Sequence, residues 1–146
     1  MYKKNIIQFI VMTLIGICFN PMNMLAYRFK DLYFSLTLFY GGLLMASNMI
    51  WSHEIVHYLS MGMFDKKLFL FGIILSVIIV MIMRKQILVN DKQWLRRMIP
   101  HHSTALTTSN QIMKKTKDKK IKKLAHEIIE TQEREIKLMK DMINNV

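Results

Sequence analysis

The chain has 146 residues, 52% of them hydrophobic, with 14 methionines, 5 glycines, 2 prolines and a formal net charge of +11. So few turn formers among so many Leu, Ile and Met residues exclude a β-rich fold and leave an all-α protein. The single cysteine, Cys18, excludes an internal disulfide and thiolate-rich zinc sites.

In chain order, residues 1–85 read as a membrane domain. Asn5–Tyr27 is 23 residues without a formal charge, enough to cross a hydrocarbon core of about 30 Å at about 1.5 Å per residue. Asn20, Pro21 and Asn23 weaken its far end, which sets the first expected span at about 6–24. Lys3-Lys4 also suit a cleaved signal, but Met24-Leu25-Ala26 puts a bulky residue where a small one is needed, so an uncleaved span is favoured. After a short turn at 28–31, the 21 uncharged residues Leu32–Ser52 form a second expected span, about 32–52. The third, about 68–83, rests on the 16 residues Leu68–Met83, bracketed by Lys67 and Arg84, which can snorkel. The bilayer is thus the first expected partner. Lys/Arg near the span ends count seven on the tail's side against four on the other, which favours a cytoplasmic tail.

Residues 86–146 read as a helical hairpin. Asn90 or Asp91 caps a helix of about 91–115 that contains Pro100. A lysine-rich turn follows, and Asp118 caps a second helix of about 118–143. Glu130–Arg134 and Glu133–Lys137 are spaced to pair along its wet face. Seven lysines in Lys114–Lys123 would attract any polyanion. No aromatic residue is interleaved for base stacking, so nucleic acid is not expected as a partner.

Alternating three- and four-residue steps trace a seam along each tail helix. The first is Leu95, Met98, His102, Ala105, Ser109, Ile112; the second is Ile121, Ala125, Ile128, Gln132, Glu135, Met139, Met142. Folding the hairpin about residues 116–117 sets His102 opposite Thr131/Gln132 and Met98 opposite Glu135. His101 flanks this layer and Met139 lies one turn away. Each polar group buried without a partner costs about 1–3 kcal/mol, so these side chains should bond to one another or to a ligand. A hydrogen-bond network from His102 through Glu135 to Gln132, fixing register, is one reading. The other is a metal site. Imidazole with thioether favours copper, Cu(I) above all, and zinc is the lesser choice.

The M-I-P-H-H-x-x-A run at 98–105 and the L-A-x-x-I-I-x-x-Q-x-x-E-I-x-x-M run at 124–139 resemble the domain of unknown function 305 family. That family consists of small helical proteins including copper-resistance, CopM-like metal binders. The resemblance implies a ferritin-like helical fold, here a half-bundle, with copper ligands carried by Met98, His101, His102 and Met139. Thr108 stands where many soluble members have methionine. Three spans ahead of the motif resemble a membrane-anchored subgroup. Soluble members are largely extracytoplasmic, which leaves the side of the tail open against the charge count.

A second ladder, Met45, Met49, His53, His57 and Met61, recurs every four residues where the second span leaves the membrane, with Glu54 and Met63 beside it. It reads either as packing and interfacial residues or as a relay for a soft ion. No nucleophile–base pair, phosphate loop or paired carboxylates stand out, so the chain is not expected to be an enzyme. The leading expectation is a membrane-anchored metal-binding protein for copper binding or tolerance. The alternative is a structural or interaction protein. In either case two helices of about 25 residues bury little surface alone, and the hairpin is expected to form a homo-oligomeric four-helix bundle or dock on the spans.

Overall fold

A computed structural model describes residues 2–145, with side chains for 5–144. Among the described residues every regular element is helical: α1 (Tyr2–Cys18), the short α2 (Pro21–Met24), α3 (Leu36–Met61), α4 (Lys66–Arg84), α5 (Asp91–Lys115) and α6 (Lys119–Asn145), with a 3-10 turn at Phe29–Asp31. The chain forms two units. One holds the residues up to Asn20 together with Leu36–Leu88; the other holds Pro21–Ser35 together with the chain from Val89 onward.

In the first unit α3 packs against both α1 and α4. Small residues let the backbones meet. A Cβ at Gly42 would lie 2.7 Å from the Thr13 carbonyl oxygen, one at Gly16 2.9 Å from Gly42 Cα, and one at Gly72 2.9 Å from Trp51 N. Ala46 is buried at the same contact, and the Ser47 and Ser76 hydroxyls meet at 2.9 Å. Polar side chains therefore point inward (Thr13, Thr37, Ser47, Ser76, Glu54), while Ile6, Ile10, Leu14, Leu70, Ile74 and Val77 face outward. The helices of this unit thus meet through small residues and leave an apolar exterior.

Two stretches among the described residues are long and apolar enough to cross a membrane, Asn5–Met24 and Lys66–Arg84. They match the first and third expected spans. The first is broken, because Pro21 lacks an N–H and disfavours helical geometry at Asn20, so α1 stops at Cys18. The expected span at 32–52 is not among the two. Residues 32–35 are not helical, and the helix runs instead from Leu36 to Met61, carrying Asn48, His53, Glu54 and His57. These polar residues dilute its hydropathy below that of a self-sufficient span. The start of α4 is as expected: the Asp65 carboxylate accepts from Lys67 N and Leu68 N at 2.9 and 3.1 Å. Past its end, Gln86 and Leu88 adopt left-handed φ of 48° and 61°, and the Tyr40 hydroxyl ties this turn to α3 through Ile87 O at 2.9 Å.

In the second unit α5 and α6 form the antiparallel hairpin, close to the expected bounds. Asn90 accepts from Gln93 N, and Asp118 accepts from Lys120 N and Ile121 N, so both caps are side-chain oxygens. Helix α5 continues through Pro100. The division differs from the linear one at residue 85: Pro21–Ser35 folds onto the hairpin. Asp31, completely buried, is its anchor. Lys140 pairs with Asp31 Oδ1, the Ser103 hydroxyl donates to Oδ2 at 2.7 Å, and Tyr27 N–H donates to Ser103 Oγ at 2.9 Å. Arg28 Nη2 reaches Glu133 Oε1 at 2.7 Å, so Glu133 is paired with this segment.

Candidate metal centre

Burial decides which face of each tail helix is the seam. The core is Leu95, Ile99 and Leu106 of α5 against Ile136 and Met139 of α6, with Met98, Ile129, Ile143 and Tyr33 packed on it. Ala125 and Ser109 are buried as expected, but Ile112, Ile121 and Met142 are exposed. The true seam of α6 is 125, 129, 132, 136, 139 and 143. Compared with the expected one, it drops Ile121 and replaces Ile128, Glu135 and Met142 by their neighbours one position on. One residue turns a helix by about 100°, so two adjacent apolar stripes share one pattern while only one of them faces α5.

The polar layer forms, one helical turn out of the expected register. His102 Nδ1 lies 3.0 Å from Glu135 Oε2, with the imidazole 15% and the carboxylate 41% exposed. The expected register sets Met98, not His102, opposite Glu135. Nδ1 is buried, and Glu135 is the charged group beside it. Burial pushes the His102 imidazole below the ordinary histidine range. The Glu135 carboxylate pulls it back up, and His101 adds to the lowering. Neutral imidazole is the metal-binding form. Around this pair, Met139 is buried in the apolar cluster and Met98 is packed against it. Gln132 is half-buried on the adjacent turn, and His101 is exposed, its ring 5.8 Å from that of His102. Among the described residues no group of three or more His, Cys, Asp or Glu side chains converges in a way that would hold a metal ion.

The second ladder is split. His53 and His57 stack with ring centroids 5.8 Å apart and 19° between planes. Met49 is half-buried, with Gln8 Nε2 3.9 Å from its sulfur, while Met45 and Met61 are exposed. A four-residue stripe drifts round the helix by about 40° per step, which carries its ends to different sides. Glu54 is the ordered carboxylate here: it is buried, accepts from Asp65 N at 3.0 Å, and lies 3.7 Å from His53 Nδ1. Beside it is a cavity of about 680 Å³ bordered by Gln8, His53, His57 and Lys67.

Sequence reasoning missed Asp31, Ser103 and Lys140. One signal was present: Asp31 is the first acidic residue of the chain and stands alone between two long uncharged runs.

Residues 83–143 match the family described as Domain of unknown function (DUF305). The uncharacterized protein L153 of Acanthamoeba polyphaga mimivirus is 35% identical over 144 residues, covering 99% of this chain and 94% of that protein. The likeness thus runs through both units. No solved structure matches the chain. With the matched segment spanning the α5–α6 hairpin as far as residue 143 and a relative alike along nearly its full length, the chain belongs to the DUF305 family.

Proposed function

We propose that the protein is an integral membrane protein whose helical tail binds copper, with Cu(I) the preferred ion. The observation that carries this reading is the His102–Glu135 contact beside a cluster holding Met98 and Met139. A carboxylate behind one ring nitrogen raises the basicity of the other, an arrangement common behind metal-bound histidines. Thioether and imidazole donors suit a soft monovalent ion that accepts low coordination numbers, so three carboxylate or histidine ligands are not needed. His102, Met98 and Met139 are the expected donors, with His101 at the exposed rim and Gln132 alongside. Copper would neutralise the cost of a half-buried polar layer in an otherwise apolar seam. Titration of the purified full chain with Cu(I) against a competing chelator tests this. His102→Ala and Met139→Leu should each weaken binding about 10- to 100-fold, and wild-type protein that never competes with the chelator would remove the reading.

The membrane reading rests on the inverted polarity of the first unit, and chain connectivity extends it. Pro21–Ser35 is part of the same unit as the tail, so the chain begins α3 and ends α4 with neighbours on one side of the membrane. If α4 crosses, α3 must cross as well. Thr37, Ser47 and Glu54 of α3 are buried within this unit, where a less hydropathic helix is tolerated. The His53–His57–Glu54 group would lie at the far end. It is read here as an interfacial polar cluster.

A further inference from the structure

Helix α6 carries two adjacent heptad stripes, and only one has a partner. The stripe 125, 129, 132, 136, 139, 143 faces α5. The stripe 121, 124, 128, 131, 135, 138, 142 runs in perfect three–four alternation one residue earlier, and Leu124 is 56%, Leu138 52% and Met142 45% exposed. None of the seven Lys/Arg of α6 falls on it. Helix α5 repeats the arrangement. One residue before its buried positions 95, 99 and 106 lies a stripe through Trp94, Met98, Ala105 and Ile112, with Trp94 50% and Ile112 42% exposed. Because the helices are antiparallel, a one-residue step back turns both stripes towards the same side of the hairpin. The opposite side is the one occupied by Pro21–Ser35, through Ser103, Thr104, Glu133 and Lys140. The hairpin is therefore covered on one face and open, apolar and coiled-coil patterned on the other.

We infer that a second copy of this chain seats on the open face, completing a four-helix bundle whose centre brings together the two copies' His101, His102 and Glu135, so that the metal site is shared. Three observations choose this occupant. Two parallel heptad stripes on a hairpin are what an antiparallel four-helix bundle uses as its inner surface. The polar residues at mid-face are self-complementary: each copy offers imidazoles and a carboxylate, so a two-fold contact sets one copy's Glu135 towards the other's histidines. The absence of Lys and Arg from the α6 stripe argues against anionic lipid, which would draw basic residues to it. The sharing of metal rests on the copper reading above; the pairing does not.

The test uses the full chain in lipid nanodiscs or mild detergent, with Cys18→Ser as background. Thr131→Cys, at mid-face, should be captured as a dimer by a short bismaleimide, and Lys122→Cys, off the stripe, should not. Equal capture at both positions, or none at Thr131→Cys, would overturn the pairing without relying on a disruptive substitution. Leu124→Lys/Leu138→Lys, which spares the intrahairpin core, should yield a monomer of unchanged helicity that binds Cu(I) at least about tenfold more weakly, although every proposed ligand is intact. Undiminished affinity in that monomer would defeat the shared site and leave copper binding standing. Capture of Thr131→Cys as a dimer, with no copper bound by the wild-type chain, would defeat the copper reading and the sharing while upholding the pairing.

Discussion

Asp31 has no exposure to water, and its carboxylate satisfies Lys140, Ser103 and, through Ser103, the Tyr27 amide. Removing one member of a buried pair costs more than the pair contributes, because the other charge is stranded. Lys140 retains some contact with solvent and can snorkel, so Asp31→Ala is expected to destabilise the tail unit by about 2–3 kcal/mol. Asp31→Asn/Lys140→Met should lose less than the two single substitutions combined. Urea unfolding followed by Trp94 fluorescence in a Trp51→Phe background reads this, and additive losses would mean that the two side chains do not interact. His102 titrates in the opposite sense to a paired histidine. Its folded form resists protonation because burial outweighs Glu135. The unfolded chain takes up its proton near pH 6.5, the folded chain only lower. Stability from this residue is thus fully present above about 6.5 and is lost as pH falls towards the folded value. Metal-free protein should show this loss, and His102→Asn should flatten it; an unaltered pH profile would count against the buried state of the ring.

At the scale of elements, the α1–α3 crossing depends on Gly42 having no side chain. A methyl there would meet Thr13 O at 2.7 Å and Ile17 Cγ1 at 2.8 Å, and backbone does not yield as a flexible side chain would. Gly42→Ala is therefore expected to cost about 1–3 kcal/mol and lower the thermal midpoint in detergent. Gly41→Ala, whose Cβ would find only Asn20 Nδ2 at 3.9 Å, is the matched control. Equal midpoints would mean that the helices are not in contact there. This scale also shows what was legible beforehand. Caps at Asn90 and Asp118, a charge boundary at Lys67, and a hairpin of two long helices follow from local chemistry, and the sequence carries them openly. The seam of α6 was ambiguous because both stripes are apolar, and single-sequence periodicity does not distinguish a face that meets α5 from its neighbour. Pairing of His102 with Glu135 was foreseen as one polar layer, yet the register differed by a turn. Repeating apolar positions look alike every three or four residues, and nothing local distinguishes one turn from the next.

For the whole molecule, the least legible feature is that fifteen residues between two apolar helices belong with a tail that begins over fifty positions later. Uncharged runs invited a reading as span, turn and span, while Asp31 and Arg28 act across 109 and 105 residues of sequence through Lys140 and Glu133. That long-range attachment constrains topology more strongly than hydropathy does. Residues on Pro21–Ser35 and on the hairpin must share a compartment, and the loop between α3 and α4 must lie across the bilayer from them if α4 spans it. Lys30→Cys and Lys120→Cys, in the Cys18→Ser background, should accordingly react with an impermeant maleimide from the same side of sealed vesicles, and Met63→Cys from the other. Labelling of all three from one side would convert α3 and α4 into a re-entrant pair, whereas labelling of Lys30→Cys and Lys120→Cys from opposite sides would break the Asp31–Lys140 attachment on which the second unit is built.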